Sequence, residues 1–500
     1  MKRGPWPRLE STMKRPRSLA HLVGTLTLAA ASVSGIGAVV PASSPDDSIG
    51  DFIDSALPAS AAPGVAYAVV ADSEIASAGA RGVAELGTDT PVTPDTPFVI
   101  GSITKSFTAL AVMQMVEAGK VQLNAGISHY LDVFAGKPAG AITITQLLSH
   151  TSGYSTGQGN AGHPESTGAH DELARGVDQL AGETPAYQPD EKWEYSNANY
   201  EILGHLIEVV SGQDYQTYVA ENILEPVGMV HSFVADGQIH EDMATGHVPW
   251  FGTKLPVSEN RTDRATVPQG GVISSASDIA LYLKMMMNGK DDVLSADGKA
   301  QMMRPASAVS PHYGFGWNVE SDSGAVWHTG VSPGVETLAT MIPAKNKAVI
   351  VLVNGGSGMG FGVTDELRVG ISDLALGLNS YDAGASWGMK ALFLGLLILP
   401  IFYLLSMVWA WIRRARIRAK VSAGFPGLFS LWFPLLTTLV AAWILLVMAP
   451  SLNGTPLVFW SVFQPDVVLA FVASAVTGVL WAVFRLAVAY TGKLHDPVAT

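Results

Sequence analysis

The sequence predicts an α+β fold in which an antiparallel sheet is flanked by helices, carries an inserted helical region, and is followed by three transmembrane helices. Three observations lead to this prediction. Paired β-forming runs lie near both ends of the central region, helical patterns occupy the stretch between them, and three long apolar segments follow. A sheet assembled from the two ends of one domain, with helices inserted between, is the simplest arrangement for this order.

The central region, residues 46–380, is long enough to bury a sizeable core and is predicted to be one domain. Its inserted part contains predicted helices over 200–210 and 276–287. The elements predicted at its two ends are a helix (46–57), a hairpin (65–70 and 75–83), a second hairpin (337–342 and 348–353) and a closing helix (363–376).

Residues 1–42 have the pattern of a signal peptide. They begin with basic residues, continue through an apolar stretch rich in alanine, serine and glycine, and end in small residues near Ala42. The apolar stretch is also long enough to span a membrane, so an uncleaved N-terminal anchor is the alternative. Either interpretation predicts that the following domain is exported.

Three transmembrane helices are predicted within residues 387–490. The loop 412–424 is rich in arginine, whereas the connection 451–464 has no lysine or arginine. The positive-inside rule therefore predicts that loop 412–424 and the tail 491–500 are cytoplasmic, and that the 46–380 domain lies on the extracytoplasmic side of the cell membrane. The predicted spans cover residues 387–411, 425–450 and 467–490.

Composition excludes several classes of function. The chain has no cysteine, which rules out disulfides and thiolate chemistry. Its net charge is −13, and no basic tract lies outside residues 1–42 and the loop 412–424, so nucleic acid is not an expected partner. His163, His170 and Asp171 lack metal-ligand spacing, and neither a metal nor another cofactor is expected.

A serine and a lysine stand at the start of a predicted buried helix. Residues 96–100 are β-rich, and residues 102–117 form a long apolar run. Ser102 and Lys105 are three residues apart and share one face of a helix, which brings a hydroxyl beside an amine. An amine in an apolar setting must be paired, deprotonated or facing a cavity. A nucleophile with an adjacent base is one interpretation; a capping serine with a lysine that extends to solvent is the other.

Two further polar clusters follow in the same domain. Tyr195 and Asn197 precede a predicted helix and point the same way if the chain is extended there. The sequence His328-Thr329-Gly330 ends a predicted strand, where glycine lets another backbone approach closely. Each cluster alone is as well explained by helix capping, packing or a turn. Their co-occurrence, in this order, with Ser-x-x-Lys favours a catalytic site.

The combined pattern resembles the penicillin-recognising serine hydrolases of the class C β-lactamase type. That group has a β-lactamase/transpeptidase-like fold and also includes DD-carboxypeptidases, D-amino-acid peptidases and esterases. The resemblance covers most of residues 50–375 and excludes the three spans. His150 falls in one of its segments, and we expect a structural hydrogen-bonding role for this residue. The segments that carry the resemblance are 98–105, 147–153, 195–204, 268–271 and 353–355.

The resemblance implies catalytic roles for three side chains. Ser102 would attack an acyl carbonyl, and Lys105 and Tyr195 would share the roles of general base and general acid. Asn197 would bind substrate and orient Lys105. Which of Lys105 and Tyr195 is the free base is left open by the sequence.

The resemblance also implies the rest of the site. His328, Thr329 and Gly330 would bind substrate, and the backbone N–H groups of Ser102 and Val331 would form the oxyanion hole. Many β-lactamases of this type have lysine where this chain has His328, and a mostly neutral imidazole lacks the fixed charge that holds a substrate carboxylate. Efficient hydrolysis of β-lactams is therefore not expected.

The expected partners are a small peptide, an ester or a cell-wall fragment as substrate, together with the lipid bilayer. A peptide containing D-amino acids or an ester is favoured, and a β-lactam is the alternative substrate. Two other functions stay open: a penicillin-binding sensor without turnover that signals through the spans, and a membrane bundle that the outer domain regulates. The sparse charge within the spans argues weakly against the second. The oligomeric state is left open.

Overall fold

A computed structural model describes residues 45–161, 169–238, 240–257, 264–378, 387–452 and 454–491. The predicted signal peptide or anchor over residues 1–42 lies outside this part of the chain. Of the predicted tail 491–500, only Thr491 lies within it.

The domain is built on a six-stranded antiparallel sheet. Its strands occur in the order β2-β1-β11-β10-β9-β8, so the first and last hairpins of the domain pair through β1 and β11, as predicted. A three-stranded sheet (β3-β7-β4) and a two-stranded sheet (β5-β6) complete the β structure of the described residues. The strands are β1 (Gly64–Ala71), β2 (Glu74–Gly82), β3 (Phe98–Val99), β4 (Phe233–Val234), β5 (His247–Trp250), β6 (Thr253–Pro256), β7 (Val272–Ser274), β8 (Asn318–Val319), β9 (Val326–Ser332), β10 (Val335–Ile342) and β11 (Lys347–Val353).

Helices surround the sheet and fill the insertion between its two hairpins. Four of them match predicted helices closely, namely α1, α6, α10 and α12. The helices are α1 (Pro45–Ser60), α2 (Thr104–Glu117), α3 (Ile144–Leu148), α4 (Thr156–Gly159), α5 (Glu172–Gly182), α6 (Asn197–Ser211), α7 (Tyr215–Val219), α8 (Glu225–Val227), α9 (Val267–Gly270), α10 (Ala276–Met287), α11 (Ala296–Met302), α12 (Asp365–Leu376), α13 (Trp387–Ile412), α14 (Arg414–Ala419), α15 (Gly424–Trp443), α16 (Ala449–Leu452), α17 (Leu457–Phe463) and α18 (Pro465–Tyr490).

Both faces of the central strands are buried, which explains their nearly continuous apolar sequences. Alternate residues of β1 belong to different cores, because successive side chains of a strand point to opposite faces. Ala66 and Ala68 join the large core that contains α2, α6 and α10. Val65 and Val69 join a smaller core formed with α1 and α12. The sheet is therefore enclosed by helices on both faces.

Two local predictions near the site need correction. The predicted helix over 102–117 is divided into a 3-10 turn, Gly101–Ile103, and the α-helix α2, so Ser102 lies in the turn that precedes the α-helix. Asn197 is the first residue of α6 and does not continue the extended chain of Tyr195. The shared orientation of Tyr195 and Asn197 was predicted for an extended chain, and that condition is not met at Asn197, because helix and loop follow different side-chain periodicities.

Three C-terminal helical segments are long and apolar enough to cross a membrane, which confirms that part of the prediction. They comprise Trp387–Ile412, Gly424–Leu452 and Pro465–Tyr490. The second contains α15 and α16 joined by a π-helical turn, Ile444–Met448. The basic loop between the first two segments contains the short helix α14.

The bundle of C-terminal helices and the domain that contains the six-stranded sheet are in direct contact. The backbone N–H of Phe251 donates to the carboxylate of Asp466 at 2.9 Å, and the side-chain amide of Gln464 donates to the Ser357 carbonyl at 2.6 Å. The Phe393 ring lies 6.3 Å from the rings of both Phe251 and Phe361. Residues just before and within the third segment therefore hold one edge of the domain.

Candidate active site

Two glycines allow the turn that carries Ser102 to approach strand β9. Gly101 has a φ of +54°, and a Cβ added there would lie 2.7 Å from the backbone nitrogen of Val331. A Cβ added at Gly330 would lie 1.9 Å from the Ile100 carbonyl oxygen. Only glycine fits such close backbone contacts. The result is that Ser102 and Val331 line the same cavity, as the predicted oxyanion hole requires.

The Ser102 hydroxyl and the Lys105 amine form a hydrogen-bonded pair. The distance from Lys105 Nζ to Ser102 Oγ is 3.0 Å, and Nζ donates to the Gln269 carbonyl oxygen at 2.7 Å. Lys105 is 0% exposed. Burial lowers the pKa of Lys105 well below its usual value, and the nearby carboxylate of Glu201 opposes this effect in part. Whenever this amine is deprotonated, it can still donate to Gln269 and has a lone pair that can accept the serine proton.

Tyr195 contacts the other side of this pair. Burial raises the pKa of its phenol, and a hydrogen bond with the Ser102 side chain offsets part of that rise. The Lys105 amine lies 4.9 Å from the centre of the Tyr195 ring. The phenol is therefore neutral near pH 7.

His150 holds the loop that carries Tyr195. Its Nδ1 accepts the backbone N–H of Ser196 at 3.1 Å, and its carbonyl accepts the backbone N–H of Glu194 at 3.0 Å. The hydroxyl of Thr156 donates to the Tyr195 carbonyl at 2.6 Å. These bonds flank Tyr195 on both sides and support the structural role expected for His150.

Asn197 lines the cavity, but it does not hold Lys105 as expected. Its amide nitrogen donates to the side-chain oxygen of Asn160 at 2.8 Å. Its own side-chain oxygen is buried and has no hydrogen-bond partner among the described residues. The Gln269 carbonyl orients the lysine instead. The Asn197 oxygen is available to accept a hydrogen bond from a bound ligand.

His328 lies behind the site. It is 3% exposed, with Nε2 at 3.2 Å from the Tyr313 hydroxyl and Nδ1 at 2.6 Å from the Thr329 carbonyl oxygen. A carbonyl can only accept, so Nδ1 carries the proton and Nε2 accepts from Tyr313. Burial, followed by the charge of Lys105, lowers the pKa of His328 to about 3. The described lining residues do not include His328, Thr329 or Gly330, and substrate binding by these three stays a prediction.

Several residues of the site were not predicted from the sequence. Gln269 lay in a segment that carried the resemblance, but its carbonyl gave no side-chain signal. Glu201 is a buried carboxylate on the first turns of α6, and an acidic residue in an apolar helix is the signal that could have revealed it. Tyr313 and Asn160 contact site residues that are distant in the chain, so no local sequence pattern predicts their contribution.

The cavity in front of Ser102 has a volume of about 350 Å³. Its polar lining residues, Ser102, Asn197, Thr266, Gln269 and Ser332, belong to the domain that contains the six-stranded sheet. Its wall also includes Phe459 and Phe463, which belong to α17, between the second and third candidate spans. No pattern in the sequence predicts a role for this connection.

The fold, together with a buried lysine that is hydrogen-bonded to a half-buried serine, defines a class of serine hydrolases. The Beta-lactamase family profile matches residues 51–372, and the chain belongs to this family. Its members act as β-lactamases, DD-peptidases and esterases, which confirms the predicted resemblance at the level of the family.

Relatives and solved structures agree with this assignment. Penicillin-binding protein 4 of Amycolatopsis lactamdurans is 30% identical over 63% of this chain and 86% of its own length. Protein flp of Staphylococcus aureus is 26% identical over 58% of this chain, and the match spans only 59% of that relative. The octameric penicillin-binding protein homologue from Pyrococcus abyssi superposes with a TM-score of 0.59 at 26% identity. The superposition covers 67% of this chain and 78% of that chain.

Proposed function

We propose that this protein is a membrane-tethered, exported serine hydrolase that cleaves an amide or ester through an acyl-enzyme. The observation that carries the proposal is the 3.0 Å contact between Ser102 Oγ and the fully buried amine of Lys105. An alcohol beside an amine of lowered pKa is a nucleophile with its base.

In the first half-reaction Ser102 Oγ bonds to the substrate carbonyl carbon while its proton passes to Lys105 Nζ. The carbonyl oxygen becomes an oxyanion that the N–H groups of Ser102 and Val331 stabilise. The bond to the leaving group then breaks, and that group takes a proton from the new ammonium through the Tyr195 hydroxyl. Glu201 and the Gln269 carbonyl stabilise the ammonium while it exists.

In the second half-reaction water replaces the leaving group. Lys105, neutral again, accepts a proton from water by way of Tyr195, and the hydroxide oxygen bonds to the acyl carbon. The Ser102–acyl bond breaks, Ser102 regains a proton, and a carboxylic acid is released. The bonds from His150 and Thr156 to the Tyr195 loop keep the phenol in place through both steps.

We propose a peptide containing D-amino acids or an ester as the substrate class. His328 is neutral and buried, so it supplies no cation for the carboxylate of a β-lactam. The lack of this cation argues against efficient β-lactamase activity. The hydrogen bond between His328 and Tyr313 argues against it as well. The second candidate function is a penicillin-binding sensor without turnover, and it is favoured by the direct contacts between the domain and the third candidate span.

The test is a substrate panel on the full chain in lipid nanodiscs. The panel comprises nitrocefin, a p-nitrophenyl ester, a D-Ala-D-Ala peptide and a D-Phe peptide, each with a Ser102→Ala control. We expect turnover of the ester or a D-peptide that is lost in Ser102→Ala. Activity that survives this substitution would refute the mechanism. A fluorescent penicillin adduct that persists, without turnover of any substrate, would identify the sensor instead.

We further propose that the domain bounded by residues 46–380 is extracytoplasmic and that loop 412–424 is cytoplasmic. The charge asymmetry of the two connecting loops supports this topology. The chain lacks cysteine, so single thiols can be introduced without background. A membrane-impermeant maleimide applied to intact cells is expected to label Val458→Cys and not Ser422→Cys. The opposite pattern would overturn the topology.

A further inference from the structure

The connection between the second and third candidate spans forms a wall of the catalytic cavity. Phe459 and Phe463 are four residues apart on α17, so they share one face of that helix. Their ring centres lie 4.6 Å apart, and both residues line the cavity that contains Ser102 and Asn197. Val458, on another face of the same helix, is 76% exposed.

The wall is held at both of its ends. Before α17, Gly454 packs against α4, since a Cβ added at Gly157 would lie 3.3 Å from the Gly454 carbonyl oxygen. After α17, Gln464 and Asp466 bond to Ser357 and Phe251 of the catalytic domain. The position of Phe459 and Phe463 is thus fixed by contacts on both sides. Since α4 also bonds to the Tyr195 loop, the connection is coupled to the catalytic residues.

The chemistry of the cavity indicates what fits there. Its polar lining residues are Ser102, Asn197, Thr266, Gln269 and Ser332, whereas most of the other lining side chains are aliphatic or aromatic. Within the described part of the chain, no charged side chain lines it. A volume of about 350 Å³ lies within the range of small-molecule sites, roughly 300–1,000 Å³. A ligand with one polar carbonyl and an uncharged apolar chain matches this distribution.

We propose that Phe459 and Phe463 form the acyl-binding wall and that the natural substrate is an ester or amide of a medium-chain apolar acyl group. Phe463 is followed directly by Gln464 and the third candidate span, so the wall lies next to the bilayer surface where such amphiphiles concentrate. This inference deepens the proposed function and rests on it for the chemical step.

The first experiment compares chain lengths. The full chain in nanodiscs is assayed with p-nitrophenyl acetate and p-nitrophenyl octanoate, alongside the double variant Phe459→Ala/Phe463→Ala. We expect the octanoate-to-acetate ratio of kcat/KM to fall at least tenfold in the double variant. The matched control Val458→Ala, on the exposed face of α17, is expected to keep the wild-type ratio. An unchanged ratio in the double variant would overturn the inference.

A second experiment does not depend on catalysis. Phe463→Cys and Val458→Cys are made separately in the Ser102→Ala chain, and labelling by N-ethylmaleimide is timed with octanamide or acetamide present. We expect octanamide, and not acetamide, to slow labelling at position 463 at least fivefold, with position 458 unaffected. Equal effects at both positions, or none at position 463, would contradict the acyl wall.

The two experiments separate the two proposals. Protection of position 463 without turnover of any ester by the unmodified chain would support the acyl site and refute the hydrolase. Turnover abolished by Ser102→Ala, with no chain-length change in the double variant and no protection at position 463, would support the hydrolase and refute the acyl site.

Discussion

Replacement of Gly101 by alanine tests whether the close approach of the Ser102 turn to β9 builds the oxyanion hole. Two effects are expected. A φ of +54° costs a non-glycine residue about 1–2 kcal/mol. The new Cβ, 2.7 Å from the Val331 nitrogen, also forces the turn and the strand apart, because neither neighbour is a flexible side chain.

Gly119→Ala is the matched control. Gly119 has a φ of +71° and nothing within 4 Å of an added Cβ, so the same substitution there adds the conformational cost without the clash. Both variants should unfold at lower temperature. Only Gly101→Ala should lose the oxyanion contact, and the loss of one such donor lowers kcat by about 10²–10³.

The assay is hydrolysis of a p-nitrophenyl ester in nanodiscs, with thermal unfolding measured in parallel. We expect kcat to fall at least 100-fold in Gly101→Ala and to stay within about threefold of wild type in Gly119→Ala. Comparable kcat values in the two variants would refute the assignment of the Ser102 and Val331 N–H groups to the oxyanion hole.

Three further predictions follow from the buried polar groups. The rate of ester hydrolysis should rise with pH as Lys105, whose pKa is lowered, loses its proton. The pKa of His328 is only about 3, so the His328→Asn variant should show the same rise in its pH profile. If the rise is absent in His328→Asn, the imidazole is the titrating group. Burial lowers the pKa of Lys254 to about 8. Between pH 8 and 10.5 the unfolded chain therefore holds a proton that the folded chain lacks. The free energy of unfolding should rise with pH across this range, by up to about 1.4 kcal/mol per pH unit. Thermal unfolding of Lys254→Met across this range should lack that rise, and an equal rise in both proteins would contradict the assignment. Asn160→Ala removes the hydrogen bond that Asn160 accepts from the Asn197 amide. This variant should raise KM about threefold to tenfold with little change in kcat. A selective fall in kcat would instead connect this hydrogen bond to the chemical step.

The lowered pKa of Lys105 bears on a question that the sequence left open, namely which group is the free base. Ser-x-x-Lys spacing indicates that a hydroxyl and an amine are neighbours, but it does not say which groups surround them. The pKa of Lys105 is lowered mainly because the folded chain excludes water from it completely. Burial depends on how α2, α6 and α9 pack, and it is not readable from the spacing of two residues.

The sequence by itself determined the hairpins at both ends of the domain, the helices α6 and α10, the three apolar segments, and the serine-lysine pair. Each rests on a pattern within one short stretch: alternation of side chains in a strand, helical periodicity, or an uninterrupted apolar run. The sequence predicted Ser102 on an α-helix and Asn197 on a loop, whereas Ser102 lies in the preceding 3-10 turn and Asn197 begins α6. Boundaries between elements depend on packing more than on local preference.

Only the tertiary structure decided which groups meet at the site. Lys105 donates to the Gln269 carbonyl, and the Asn197 amide donates to the side-chain oxygen of Asn160. Two phenylalanines of α17 line the cavity. All of these contacts join segments that are far apart in the chain. The physical reason is that such contacts are selected by the packing of whole elements, and a single sequence records each element but not the contacts between them.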